Sequence, residues 1–416
     1  MSPRPFRHHL LALAMFALSA QAQTLDAWLP SNAQVAPVLQ ASPLIQAARA
    51  RQDAQLQRAR GLEAGSGEWA VRLNQQQRRV RDAQERFAET TAALERPVRL
   101  WGKAGMDARL AEQDREVARI GLADALHEAS RTLLTHWFAA LRARLDADST
   151  QRELALAREL DRQARARLRQ GDISVLDARL AEAELQRSEA AAGLAQAELA
   201  RSTTVLQRLY PGLSAPQWPA GAVTDPAPLP QDMGTALQEF LAQHHELQLL
   251  RAESRRQQQL AERLERDRWP DPTLGLYTAR ERAGAEQLVG VSVSMPLSGT
   301  WRASQAQAAH SEAIALQEQV QQLERTLGSD FEARWLQTGH QQQALAALRQ
   351  AADTQRLAAE KSLTAYTLGE HSMTELIQNR RLANEQQLAS QRLRLDWLLN
   401  RARIELDAHR LWDLDD

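Results

Sequence analysis

Two short segments of this chain carry the same pattern of polar and titratable residues. Residues 171–178 are GDISVLDA, and residues 369–376 are GEHSMTEL. In each segment a glycine is followed by an acidic residue, then a serine, and then a carboxylate three positions after the serine. A serine with a carboxylate three residues later can cap the start of a helix reciprocally. The chemistry that this spacing suggests first is therefore a turn and a helix cap.

Catalytic and metal-binding motifs are absent from the sequence. It contains no HExxH zinc motif, no phosphate-binding P-loop and no GxSxG nucleophile turn. His244 and His245 are adjacent, so on a helix they point about 100° apart and make a poor chelate, and we expect them to be solvated. We predict no catalytic residue, no cofactor and no metal site, and we do not expect an enzyme.

Composition narrows the class of protein. The chain has 416 residues, no cysteine and a formal net charge of −1. The lack of cysteine excludes disulfides and thiolate sites, and a neutral balance argues against nucleic acid as a partner. Abundant Ala, Gln, Arg, Glu and Leu favour long helices.

The first residues resemble a secretory signal. Arg4 and Arg7 form a basic region, residues 10–18 are apolar, and residues 20–22 are Ala-Gln-Ala, a typical cleavage site. We therefore expect residues 1–22 to be a signal peptide and the mature protein to be exported. No later segment is apolar enough for a membrane-spanning helix, so a membrane-crossing part would have to consist of strands.

An internal repeat organises the remainder. Trp69 and Trp101 recur as Trp269 and Trp301, both 200 positions later, and Gly171 recurs as Gly369 after 198. We therefore predict two structural repeats, residues 23–210 and 231–416, joined by a Pro/Gly-rich linker at 211–230. Each begins with a helical stretch, at 32–64 or 233–268. The expected strands are about 67–76, 86–97, 272–281 and 287–297, the long helices about 102–168 and 302–367, and the return helices about 174–209 and 372–411.

Alternation in the strand segments suggests a membrane surface. In EQLVGVSVSMPLS, Val289, Val291 and Val293 share one side, and small residues occupy the other. A half-buried soluble strand can show this pattern, and so can a barrel strand in a membrane. The four tryptophans flank the strand pairs, where interfacial aromatics would lie. Since four strands cannot close a membrane barrel, the membrane interpretation requires several chains.

At this point the sequence resembles the outer membrane efflux proteins, the TolC-like outer membrane factors. The residues that carry the resemblance are the junctions RPVRLWGK (96–103) and MPLSGTWR (295–302), the segment PDPTLGLY (270–277) and the two glycine motifs. The form of RPVRLWGK is most similar to the heavy-metal efflux branch.

The resemblance implies a mainly α protein with a small β part. It also implies a homotrimer with a 12-stranded β-barrel in outer membrane lipid, continued by an α-helical barrel in the periplasm. The partners would be a periplasmic adaptor and an inner-membrane pump, expected to be of the resistance-nodulation-division type. The function would be that of a passive exit duct, with heavy-metal cations as one candidate cargo.

For the glycine motifs the resemblance implies a place at the periplasmic end of the tunnel. Gly171 and Gly369 suit tight interhelical turns, and Ser174 and Ser372 suit N-caps. Asp177 and Glu375 would complete capping boxes, or they would form an acidic ring of a gate with Tyr366 as a latch residue. His371 stands where better-studied members carry arginine, so the latch would tighten at mildly acidic pH.

Two alternatives remain open. The channel could serve type I secretion or drug efflux instead of metal efflux. In a different class, the chain could be a soluble periplasmic coiled-coil adaptor, although two copies of a strand-pair and long-helix unit do not fit that architecture.

Overall fold

A computed structural model describes residues 25–219, 225–229, 232–297 and 299–412. Within these ranges the chain is mostly helical with a small antiparallel sheet, and the predicted fold class is confirmed at that level. The predicted signal peptide (1–22) and part of the predicted linker (211–230) lie outside the described residues. Among the described helices, none is long and apolar enough to cross a membrane.

The order of two helices, two strands and two helices occurs twice along the chain. The helices are α1 (Asn32–Gln40), α2 (Pro43–Ala64), α3 (Lys103–Gln170), α4 (Val175–Leu209), α5 (Met233–Gln243), α6 (His245–Arg266), α7 (Thr300–Thr367) and α8 (Met373–Asp407). The strands are β1 (Ala70–Val80), β2 (Glu85–Pro97), β3 (Thr273–Glu281) and β4 (Glu286–Ser294).

Both initial helical stretches are interrupted, which the sequence analysis did not anticipate. The stretch 32–64 breaks before Pro43, because proline donates no backbone hydrogen bond but suits the first position of a new helix. The stretch 233–268 breaks at His244, whose backbone is extended with ψ 114°. His244 is only 2% exposed. The expectation that this histidine is solvated is therefore wrong.

The observed ends of the strands differ from the expected ones. β1 was expected at 67–76 but runs from Ala70 to Val80, and β4 was expected to reach 297 but ends at Ser294. The second half of β1, NQQQRR, has no alternation of apolar and polar residues, so its sequence does not indicate that the strand continues there. Pairing with β2 extends this strand, since every residue from Ala70 to Val80 has a partner there.

The four strands form one sheet in the order β1-β2-β3-β4, with all neighbours antiparallel. Residues directly opposite one another share a face. One face, here the valine face, carries Val71, Val289, Val291 and Val293, and the other, the glutamate face, carries Glu89, Glu95 and Glu281. The valine face is exposed, with Val289 at 81% and Val291 at 75%.

The sheet belongs to a compact unit formed by residues 47–124 and 244–326. Lys103, only 2% exposed, anchors the junction between β2 and α3 in this unit. Its Nζ donates to the carbonyl of Trp269 at 2.6 Å and to Asp271 at 2.8 Å, and it pairs with Asp267 at 2.9 Å. The lysine of RPVRLWGK thus ties the first strand pair to the segment that leads into the second.

The other compact unit comprises residues 1–46, 125–243 and 327–416, described here from residue 25 to 412 with the gaps given above. It is helical, and one of its cores is a cluster of large side chains. The members of that cluster are Phe240, Phe331, Trp335 and Ile404. Phe240 and Phe331 stack with ring centres 4.7 Å apart. This unit contains both glycine motifs.

Candidate functional site at the hairpin turns

Each glycine motif closes a tight turn between two antiparallel helices. Gly171 (φ +79°) follows α3, and Gly369 (φ +80°) follows α7. Asp172 N donates to Arg167 O at 2.9 Å, and Glu370 N donates to Ala365 O at 2.9 Å. This is the hydrogen-bond pattern of a Schellman motif, whose left-handed residue is glycine because a side chain would be strained there.

The serines after the glycines start the returning helices. Ser174 and Ser372 are the N-caps of α4 and α8, and their hydroxyls accept from Asp177 N at 3.0 Å and Glu375 N at 3.2 Å. The capping box is complete only at Ser372, whose backbone N donates to the Glu375 carboxylate at 2.8 Å. Asp177 accepts instead from the Ser174 hydroxyl at 2.7 Å. The aspartate side chain is one methylene shorter, which accounts for the difference.

The two hairpins pack on each other next to their turns. A buried apolar seam joins them, with Tyr366, Ile173 and Leu180 at its margin. The seam consists of Leu160, Ala164, Ala181, Met373, Leu376 and Ile377. Two turns further into the helices, the buried carboxylate of Glu184 on α4 accepts from Arg187 and from Arg381 on α8. Arg381 Nε lies 3.0 Å from the Glu184 Oε2.

The proposed latch residues divide into two local groups. The guanidinium carbon of Arg167 lies 5.4 Å from the centre of the Tyr366 ring, and the charge of Asp177 also acts on Tyr366. His371 lies elsewhere in the second turn, with Nδ1 3.2 Å from the Ser362 hydroxyl. That hydroxyl also accepts from Asn379 Nδ2 at 3.1 Å. Tyr366 therefore lies against Arg167 and feels the charge of Asp177, whereas His371 is held within its own hairpin.

Several residues near the turns escaped the sequence analysis. Arg167, Ser362 and Asn379 belong to no local motif, and Glu184 and Arg381 are separated by almost 200 positions. The repeat gave the one indication of the Glu184–Arg381 contact, since each residue follows the serine of its turn on the corresponding helix. Among the described residues there is no group of three or more potential metal ligands.

The environment shifts three pKa values at the turns. Burial raises the pKa of Tyr366 above its ordinary value, so its hydroxyl stays protonated. Hydrogen bonds from the backbone and hydroxyl of Ser372 lower the pKa of Glu375. Burial alone would raise the pKa of Glu184, but the hydrogen bonds from Arg187 and Arg381 outweigh it, and the net shift is downwards. Both carboxylates are therefore ionised at neutral pH, Glu184 within its pairs with two arginines and Glu375 exposed at the second turn.

The four repeated tryptophans lie in the sheet unit, all at the helix end of the strands. Each is exposed: Trp69 by 63%, Trp101 by 96%, Trp269 by 70% and Trp301 by 69%. Arg96 lies over the Trp69 ring, 5.3 Å from its centre. The tryptophans therefore flank the two strand pairs in the chain, at the strand ends that connect to the helices.

No protein-family model matches this chain. No curated protein matches its sequence significantly. Solved structures do match. The outer-membrane channel OprN is 15% identical with a TM-score of 0.80, and the match covers 94% of this chain and 92% of OprN. The CmeC outer membrane channel of Campylobacter jejuni is 13% identical with a TM-score of 0.70, covering 95% and 86%. The outer membrane protein VceC of Vibrio cholerae is 16% identical with a TM-score of 0.68, covering 95% and 96%. The chain therefore has the fold of these outer-membrane proteins.

Proposed function

We propose that this protein is an outer membrane efflux channel of the TolC-like family, the passive exit duct of a tripartite system. The observation that carries the proposal is the valine face, an exposed apolar band on a four-stranded sheet whose strand pairs are flanked in the chain by exposed tryptophans. An apolar face of this kind is stable in hydrocarbon and costly in water. The shared fold with outer-membrane channels supports the same conclusion.

We further propose that three chains form the wall. β1 and β4 are the two edges of the sheet, and neither edge is paired within the described residues. Open edges are not tolerated in hydrocarbon, since each unpaired backbone group costs several kcal/mol. Three copies of the sheet, joined β1 to β4, would make a closed barrel of 12 strands, within the known size range.

The partners of the proposed duct follow from its turns. Val175 and Leu176 beside the first turn and Leu368 beside the second are 66%, 67% and 70% exposed. Exposed apolar side chains at hairpin tips suit a protein partner better than water. We propose that a periplasmic adaptor docks here and connects the duct to a resistance-nodulation-division pump. The fold gives no support to the alternative that this chain is itself the adaptor.

For the cargo of the duct, heavy-metal cations are the first candidate. The described residues contain no cluster of metal ligands. The proposal of heavy-metal export therefore rests on the similarity of RPVRLWGK to the heavy-metal efflux branch, and the pump would select the cargo. Loss of metal resistance on deletion, restored by the gene, would support metal export. Unchanged metal resistance with increased sensitivity to organic toxins would favour drug efflux.

One experiment tests the duct directly. The full chain is extracted from outer membranes with detergent, its mass is measured, and it is reconstituted into planar lipid bilayers. We expect a trimer that forms discrete conducting channels. A detergent-free monomer recovered from periplasmic extract would contradict the proposal.

A further inference from the structure

The valine face ends in a group of arginines without carboxylate partners. Towards the β1–β2 and β3–β4 turns, its apolar residues give way to Gln75, Thr90, Arg280 and Gln287, which lie in one row across the four strands. Two rows further towards the β1–β2 turn, Arg79 lies directly opposite Arg86. All three arginines are exposed. No hydrogen bond or ion pair of their side chains occurs within the described residues.

Arginines on the two faces of the sheet differ in their ion pairs. On the glutamate face, Arg72 pairs with Glu95 at 2.8 Å, and Arg78 lies 3.5 Å from Glu89 and 3.8 Å from Glu281. Every Asp or Glu of the four strands lies on that face. The strand residues of the valine face include no carboxylate. Like charges directly opposite each other destabilise a sheet, so the Arg79–Arg86 pair needs an anion from outside the sheet.

A second copy of the chain does not supply that anion. If β4 of a neighbouring copy pairs with β1, its contribution to the valine face is Gln287, Val289, Val291 and Val293, which are uncharged. The turn residue Asp82 is exposed and makes no ion pair within the described part of the chain. The missing charge therefore has to come from the medium in contact with the valine face.

The position of the arginines identifies that medium. Strand residues on one face are about 7 Å apart, so Arg280 lies one step and Arg79–Arg86 three steps beyond the last apolar row. If the apolar rows lie in hydrocarbon, as under the proposed function, the arginines stand at the height of lipid headgroups. Arginine is suited to this place, since its stem packs on apolar surface while its guanidinium binds phosphate through two parallel hydrogen bonds.

We propose that Arg79, Arg86 and Arg280 form a binding site for the phosphate groups of the outer-leaflet phosphoglycolipid. The turns lie at the end of the strands away from the helices, and periplasmic helices would place them at the exterior. This inference rests on the proposed function. In a trimer the site occurs three times, as a basic belt that fixes the depth of the sheet in the membrane.

The test is a lipid titration of the detergent-solubilised full chain, followed by native mass spectrometry. The probes are bisphosphorylated lipid A, the same lipid without its phosphates, and phosphatidylglycerol. We expect the phosphorylated lipid A to bind in preference to the other two. In the Arg79→Gln/Arg86→Gln variant, affinity should fall by roughly thirtyfold, since each arginine near anionic lipid contributes about 1 kcal/mol.

Two control variants distinguish the loss of the arginine charge from a general effect on folding. Arg72→Gln removes an arginine from the glutamate face and should leave lipid binding unchanged. Arg79→Lys/Arg86→Lys keeps the charge and should restore most of the binding. Equal binding by wild type and the Gln variant overturns the inference, as does equal binding of lipid A without phosphates. Equal binding of phosphatidylglycerol overturns the glycolipid assignment. A protein that forms no bilayer channel contradicts the proposed function instead, whereas one that conducts without phosphate preference contradicts only this inference.

Discussion

At the scale of single residues, the two turns show how one methylene changes a cap. Glycine closes both turns in the same way, and serine starts both returning helices. Glu375 reaches back to the backbone N of Ser372, whereas Asp177 reaches only the hydroxyl of Ser174. The start of α8 therefore has one more of its free backbone donors satisfied than the start of α4.

Because its capping box is complete, Ser372 should be more sensitive to substitution than Ser174. Replacing an N-cap serine by alanine typically costs about 1 kcal/mol. We expect Ser372→Ala to speed amide hydrogen exchange in the first turn of α8 by roughly fivefold, because the cap and the capping box are both lost. Exchange measured by mass spectrometry tests this, with Ser372→Thr as the conservative control. A larger effect of Ser174→Ala on its own helix would contradict this ranking.

The buried carboxylate of Glu184 gives the turns a pH dependence. Its folded pKa is lowered, so its stabilising contribution is complete above its ordinary pKa of 4.5 and is lost as pH falls through the lower, folded value. We expect Arg381→Gln to cost about 1.5–3 kcal/mol at pH 7, since it removes hydrogen bonds to a buried charge.

The difference between wild type and Arg381→Gln should shrink as the pH falls below 4.5, where Glu184 becomes protonated. The opening free energy of amides around Glu184, obtained from hydrogen exchange, is the measurement. Arg201→Gln is the matched control, because its partner Glu198 is exposed on the same helix and exposed pairs contribute little. A pH-independent cost for Arg381→Gln would mean that packing, rather than charge, dominates.

At the scale of elements, local sequence pattern explains the helices better than the strands. Glycine turns and serine caps act within a few residues, so they indicate where a helix ends and where the next one begins. The polar half of β1 has no such pattern, because pairing with β2 sustains it. The turn residues of the candidate site could be found from their motif. The Glu184–Arg381 contact could not, because its partners are brought together only by the packing of two hairpins.

The two faces of the sheet allow a direct test of their different surroundings. Val291 lies in the middle of the apolar rows, and an arginine there would cost about 2–4 kcal/mol per chain in hydrocarbon. We expect Val291→Arg to reduce the membrane-inserted, heat-resistant trimer strongly. Ser292→Arg places the same side chain on the glutamate face, in the same row as Glu95 with Gly275 between them, and should assemble normally. Urea-washed membranes and unheated gel electrophoresis provide the readout.

If both arginine variants insert equally well, the valine face does not contact lipid and the channel proposal fails. If both fail to insert, the strand itself is disrupted, and Val291→Asn against Ser292→Asn repeats the comparison with a smaller side chain. A selective loss for substitutions at 291 is the result that the membrane interpretation requires.

At the scale of the whole molecule, one chain has unpaired groups that the proposed trimer would complete. Both outer strands have unpaired edges, and the Tyr366 hydroxyl makes no hydrogen bond within the described residues. In the proposed trimer the strand edges would pair with those of neighbouring copies, and we propose that the Tyr366 hydroxyl finds its partner there as well. Asp177, Glu375 and their symmetry mates would form rings of negative charge, which attract cations and repel anions.

The proposed latch can be tested on this assembly. Removing a hydrogen bond to a charged group weakens a closed state by about 1.5–3 kcal/mol, and therefore shifts the ratio of open to closed channels by at least roughly tenfold. We expect Asp177→Ala combined with Tyr366→Phe to raise bilayer conductance and to make cells sensitive to large antibiotics. Tyr277→Phe removes the same hydroxyl from a strand residue and should change neither. Channels of the double variant that assemble as trimers and conduct like wild type would exclude these two residues from the latch and would leave His371 as the remaining candidate.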